Sequence, residues 1–171
     1  MANTYTLIAS STVGSGGVSN IEFTSIPSTY TDLLIKMSLR SNRALAVDGI
    51  VMRFNGDTTS GNYTAKRIYG SGSGSPTSDS ANNGLAIMNG NTATASVFAN
   101  AEAYIPNYTG GNAKSVSADG VSENNATEAY AVLYSLLWSG TSAISSIKIT
   151  SETADTILQY STAYLYGISN S

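Results

Sequence analysis

The side chains best placed to do chemistry in this chain are three carboxylates, Asp119, Glu123 and Glu128, carried in the run Ala118-Asp119-Gly120-Val121-Ser122-Glu123-Asn124-Asn125-Ala126-Thr127-Glu128. Two carboxylates are what a glycoside hydrolase uses, one protonated to release the leaving oxygen and one ionised as base or nucleophile. The acid has to be partly buried, because desolvation is what raises its pKa. Here the surrounding Gly, Ser and Asn read as a wet loop, so the expectation is solvated loop carboxylates. No Ser–Lys spacing advertises a nucleophilic dyad.

A second set, Asn55, Asp57 and Asn62, offers the hard oxygen ligands calcium prefers, around Gly56 and Gly61. It lacks the regular spacing and terminal Glu of an EF-hand loop, and is expected to satisfy turn backbone instead. The chain has no His and no Cys, which removes the imidazole base, the thiolate and the soft metal ligands. No catalytic residue, metal ligand or cofactor is assigned, and the expectation is a protein that is not an enzyme. The sequons at Asn62, Asn107 and Asn125 carry no weight in a chain this rich in Asn and Thr.

Tyrosine is the remaining binding signal. It combines contact area with a polar tip and suits protein interfaces and sugar platforms alike. Tyr160, Tyr164 and Tyr166 share one strand face and read as core lining with hydroxyls at the rim. Tyr104 and Tyr108 bracket Ile105-Pro106-Asn107, and the loop residue Tyr108 fits an interface and the core equally.

The elements that position these residues repeat with period two. Leu33, Ile35, Met37 and Leu39 alternate with Asp32, Lys36, Ser38 and Arg40, broken only by Leu34. Ile50, Met52 and Phe54 alternate with Val51 and Arg53, then meet the turn signal Asn55-Gly56-Asp57. Further strands are predicted over Tyr5–Ala9, Ile21–Thr24, Tyr63–Tyr69, Leu85–Met88, Val97–Ile105, Ser115–Ala118, Ala129–Trp138, Ile144–Thr150 and Ile157–Ile168. Such short strands punctuated by turns predict an all-β, single-domain antiparallel β-sandwich over residues 1–171, jelly-roll-like in winding. The Gly/Ser stretch from Gly70 to Gly84 predicts a mobile surface loop.

At 171 residues the chain is long enough for one sizeable core. Its net charge is −3, and its eight basic residues are scattered, so no nucleic-acid partner is expected. No run approaches the roughly 18 apolar residues of a membrane span, and no membrane partner is expected. The opening residues lack a basic stretch followed by an apolar one, so synthesis in a cytoplasm is expected.

Several segments together carry a resemblance. They are Asn3-Thr4-Tyr5-Thr6-Leu7-Ile8, Ile21-Glu22-Phe23-Thr24-Ser25-Ile26-Pro27 leading to Tyr30-Thr31-Asp32-Leu33, Phe54-Asn55-Gly56-Asp57, Tyr104-Ile105-Pro106-Asn107-Tyr108, and Gln159-Tyr160-Ser161-Thr162-Ala163-Tyr164-Leu165-Tyr166-Gly167-Ile168. In that order they resemble small β-rich virion structural proteins of tailed bacteriophages, cyanophages and other aquatic phages among them, over essentially the whole chain. The resemblance implies a non-enzymatic sandwich made in the host cytoplasm and built into the virion. Two positions follow from it. One is a capsid decoration (cement) protein on the major capsid protein, as a homotrimer or other symmetric homo-oligomer. The other is a tail-fibre or receptor-binding subunit recognising host glycan. The absence of a heptad region or repetitive shaft favours decoration, and the expected contact residues are Asn3, Thr4, Tyr5, Thr6 and Tyr108 with the Gly70–Gly84 stretch.

Overall fold

The alternation between Asp32 and Leu39 becomes a strand whose inward residues Leu33, Ile35, Met37 and Leu39 are almost completely buried. It is one of twelve strands in a computed structural model that describes residues 4–72, 75–81 and 84–169. In chain order they are β1 (Tyr5–Thr12), β2 (Asn20–Phe23), β3 (Asp32–Leu39), β4 (Val47–Phe54), β5 (Tyr63–Gly70) and β6 (Thr77–Ala81). Then follow β7 (Gly84–Asn89), β8 (Ala99–Ile105), β9 (Lys114–Glu123), β10 (Ala129–Trp138), β11 (Ile147–Ser151) and β12 (Thr162–Ile168). They form two antiparallel sheets packed as a sandwich. The larger runs β1-β12-β3-β8-β9-β10-β5-β6 and the smaller β2-β11-β4-β7.

One hydrophobic cluster joins the inner faces. Ile21, Phe23, Ile50, Met52, Phe54, Ile147 and Ile149 come from the small sheet, facing Leu33, Ile35, Leu165 and their neighbours from the large one. Strand β7 is buried along its whole length and packs across β8, β9 and β10. Small residues make that approach possible: Ala99, Ala101, Ala103 and Ala118 line the surface beneath it, and a Cβ on Gly120 would lie 3.5 Å from the Ile87 side chain. At one end, Phe54, Tyr63 and Trp138 form an aromatic cluster with ring centroids 5.4–6.5 Å apart. The predicted Asn55-Gly56 turn is present, both residues holding positive φ (52° and 70°).

A strand lies at each of the eleven predicted places, three of them starting later than predicted (β8 at Ala99, β11 at Ile147 and β12 at Thr162), and three further expectations are corrected. The Gly70–Gly84 stretch is not one loop. It carries β6, paired with β5 from Ala65↔Ala81 to Tyr69↔Thr77 and held by a bidentate ion pair of Arg67 with Asp79 (2.6 and 2.8 Å). Of Thr-Ser-Asp-Ser only Thr77 favours a strand; pairing with β5 makes the run one. Next, Asp119 and Glu123 lie on β9, which runs five residues past the predicted end at Ala118. Finally, Tyr164 and Tyr166 point away from the core and Tyr160 is 68% exposed in a turn; the alternate residues Ala163 and Leu165 fill the core instead.

Candidate functional site

The small sheet covers one face of the large sheet and leaves the other open. Antiparallel register fixes what that open face displays. One cross-strand row reads Leu7, Tyr166, Leu34, Tyr104, Ser117, Ser135, Lys66, Ser80 from edge to edge. The next reads Ser10, Tyr164, Lys36, Glu102, Asp119, Leu133, Ile68, Ser78. Both rows change character midway: over β1-β12-β3-β8 they carry tyrosines, Leu34 and the Lys36–Glu102 pair, whereas over β9-β10-β5 the first turns to Ser117, Ser135 and Lys66 and the second to Leu133 and Ile68 beside Asp119. Neighbouring strands rotate by roughly 20–25° per step, so β12 and β5, five steps apart, look in directions that differ by roughly 100–125°.

In the aromatic half, Tyr5 and Tyr166 wall a hollow of about 350 Å³ over Leu34, with Lys36 and Glu102 on its other side. Tyr5 is 57% exposed and Leu34 only 6%. Lys36 Nζ lies 2.6 Å from Glu102 Oε2, directly across the β3–β8 pair, and this hydrogen bond holds the ammonium pKa above its usual value. A second hollow, about 320 Å³, shares Lys36 and Tyr166 and continues along Ser38, Asn100, Thr162 and Tyr164. Tyr104 anchors the region: its hydroxyl donates to Asp32 Oδ2 at 2.7 Å, and Asp32 Oδ1 accepts the Asn107 N–H at 2.8 Å. The phenol's pKa is raised by that bond to a carboxylate.

The aliphatic half shows Ile68 and Leu133 (each 56% exposed), Val121 (50%) and Leu137 (46%). Ile68 and Leu133 face one another across the β5–β10 pair, and Val121 lies beside Ala131 on β9. Around Ile68 and Leu133 opens a hollow of about 420 Å³ with Lys66, Asp79, Ser117 and Ser135 at its margin.

Of the residues expected at a contact surface, Tyr5 joins the aromatic hollow. Thr4 is exposed beside it and Thr6 half-buried on β1, while Asn3 lies outside the described residues. Tyr108 is a correction. Its side chain is fully buried and its hydroxyl donates to the Pro27 carbonyl, because the loop after β8 folds inward under the 26–30 segment. The carboxylates of β9 do not form a pair. Asp119 and Glu123 stand four residues apart on one strand, about 13 Å, beyond the ~5–9.5 Å of glycosidase carboxyl pairs. Burial opposes ionisation of Glu123, but bonds from the Asn125 N–H (2.5 Å) and from Thr94 N–H and Oγ1 (2.8 Å each), with the Arg40 charge nearby, outweigh it and hold its pKa low. Glu128 accepts bonds from Asn124 Nδ2 and the Tyr130 hydroxyl.

The Asx set closes turns. Asp57 accepts bonds from Trp138 Nε1, Asn62 Nδ2 (both 2.8 Å) and the Thr59 N–H (2.9 Å), which lower its pKa to about 2. Asn55 Oδ1 accepts the Ser145 and Ser146 N–H groups at 2.8 and 3.2 Å. Among the described residues no three acidic side chains gather as a metal site, and no helix is long and apolar enough to cross a membrane.

Lys36, Glu102 and the aliphatic quartet were not singled out by the sequence. For Leu133 and Leu137 the signal was present, since Val132, Tyr134, Leu136 and Trp138 claim the inner face and leave both leucines outside. For Lys36 and Glu102 it was not, because their meeting depends on pairing between strands more than sixty residues apart. No family model, curated protein or solved structure matches the chain.

Proposed function

We propose that this chain is a structural protein of a tailed-bacteriophage particle, without catalytic function, that decorates the capsid exterior by adhering to the major capsid protein. The observation that carries the reading is the aliphatic band of Ile68, Val121, Leu133 and Leu137 on the open sheet face. Exposed apolar side chains gathered on one surface mark an interaction site, and a protruding apolar side chain of a partner fits the hollow around Ile68 and Leu133.

Strand order supports the same reading. With the β5–β6 and β9–β10 hairpins set aside, β1-β12-β3-β8 faces β2-β11-β4-β7. Successive strands then alternate between sheets, apart from β4 and β7, which lie side by side. We read this order as the doubly wound Greek key of a jelly roll, an architecture used in viral capsid and lectin domains. The two hairpins widen one sheet into a platform. The sequence resemblance supports a position for such a platform on a phage particle. Symmetric assembly, as a homotrimer, would multiply weak contacts into avidity.

Cosedimentation of the purified protein with decoration-free capsids, tail-only particles and host envelopes tests this. Saturable binding to capsids alone is expected. Leu133→Lys, whose ammonium would sit opposite Asp119 and leave the fold intact, should weaken it about tenfold or more. Binding only to tails or envelopes, or capsid binding that ignores this substitution, would overturn the proposal.

A further inference from the structure

The geometry points to a second binding site on the same sheet: we propose that the hollow bounded by Tyr5, Tyr166 and the Lys36–Glu102 pair binds a neutral oligosaccharide. Its build matches the two-sided chemistry of a pyranose, which has an apolar C–H face and a rim of hydroxyls. Leu34 closes the floor and the two tyrosine rings form an apolar wall. Opposite them, an ammonium that only donates stands 2.6 Å from a carboxylate that only accepts. A sugar hydroxyl does both, so a neighbouring pair of hydroxyls can take one bond from Lys36 and give one to Glu102.

Charge selects the ligand class. The ion pair sums to zero, so a charged ligand gains no net attraction to offset the cost of desolvating its charge, and a neutral polyhydroxyl ligand has no such cost. Size sets the length. The hollow of about 350 Å³ runs into the one of about 320 Å³ through shared Lys36 and Tyr166, and both fall at the small end of ligand sites. Two joined pockets suit at least two sugar units. Tyr164 repeats the ring of Tyr166 two residues along β12, about 7 Å away, and Ser38, Asn100 and Thr162 add neutral hydrogen-bonding groups. The hollow around Ile68 and Leu133 also carries an ion pair, Arg67 with Asp79, but its one aromatic residue, Tyr134, is buried and offers no ring to stack on a sugar; the sheet's twist turns the two hollows apart, so one particle-bound molecule can hold its capsid and present the tyrosine hollow outward.

The inference does not depend on capsid docking, and its test uses the free protein. The full chain is run through native gels containing hydroxyethyl cellulose, laminarin, mannan or galactan, with alginate as the polyanionic control. Retardation in at least one neutral gel is expected. Tyr166→Ala and Tyr5→Ala should each weaken it about tenfold or more, Tyr166→Phe should retain it, and Leu133→Lys should leave it unchanged. Thermal transitions of the tyrosine variants, which alter partly or largely exposed side chains, report that the fold is kept. Retardation in no neutral gel, retardation by alginate alone, or retardation indifferent to both tyrosines would overturn the proposal. So would a concentration-dependent dimer, read by light scattering, that both alanine variants abolish, since the face would then belong to a second copy of the chain.

Discussion

Substituting Tyr108 by Phe and, separately, by Ala measures two contributions from one side chain. The ring is fully buried beside the 26–30 segment, while its hydroxyl donates to the Pro27 carbonyl and accepts the Tyr30 N–H at 3.4 Å. Pro27 itself is exposed, so water can replace the lost donor and Tyr108→Phe should cost only about 0.5–1.5 kcal/mol. Tyr108→Ala also empties the space of an aromatic ring, which costs about 3–5 kcal/mol. For a domain of this length 1 kcal/mol corresponds to about 2–4 °C, so Tm should fall by about 1–6 °C for Phe and about 6–20 °C for Ala. Differential scanning calorimetry reads both, and partner binding measured below each Tm should be unaffected. An alanine variant within about 1 °C of the parent that had lost partner binding would refute the burial argument and return Tyr108 to the surface.

Arg40 is buried and its guanidinium donates to the carbonyls of Thr94 (2.6 Å), Val97 (2.9 Å), Ala93 (3.1 Å) and Asn91 (3.2 Å). Arg40→Met removes all four donations, although the Thr94 carbonyl keeps the Val97 N–H and the Val97 carbonyl keeps Asn89 Nδ2, and should cost about 3 kcal/mol, with hydrogen exchange accelerated first across residues 90–98; uniform acceleration throughout the chain would contradict this local role. The carboxyl of Asp57, at about 2 when folded, lies below the usual unfolded value near 4. A depressed folded pKa stabilises above the unfolded pKa and is lost as pH falls, so urea-unfolding stability should decline between roughly pH 4 and pH 2. Asp57→Asn should flatten that part of the profile, and an unchanged slope in the variant would count against the Trp138–Asp57 bond.

Where a residue's environment depends on its own strand, the sequence was legible. Leu33 to Leu39 and Tyr130 to Trp138 alternate, and their inward residues are the buried ones. Where the environment depends on pairing partners, it was not. Tyr164 and Tyr166 alternate just as well, but alternation alone does not say which face is inward, and the smaller Ala163 and Leu165 take the core. Strand β6 has a single strand-favouring residue, Thr77, and forms through its pairing with β5. Asp119 and Glu123 looked wet because Gly and Asn surround them, yet β9 extends through both, paired to β10 from Lys114↔Trp138 to Glu123↔Ala129. The aromatic hollow shows the same division: Tyr5 was legible as a surface residue, while its meeting with Lys36 and Glu102 needed the order β1-β12-β3-β8.

The proposed contact face carries apolar residues that a solvated sheet has no need of. Strand β10 buries Val132, Tyr134, Leu136 and Trp138 inward and still shows Leu133 and Leu137 outward. A polar residue at either outward position would serve a solvated strand equally well and lower the risk of self-association. The sheet's edges, by contrast, are blunted. Strand β1 carries an irregularity between Leu7 and Ala9, and β6 is five residues long with Asp79 tied back to Arg67. Blunted edges beside an apolar face disfavour strand-to-strand addition at this sheet and favour contact through the face. The proposed adhesion would require a rigid platform with side chains of fixed register, and the continuous core beneath β8, β9 and β10 provides such a platform.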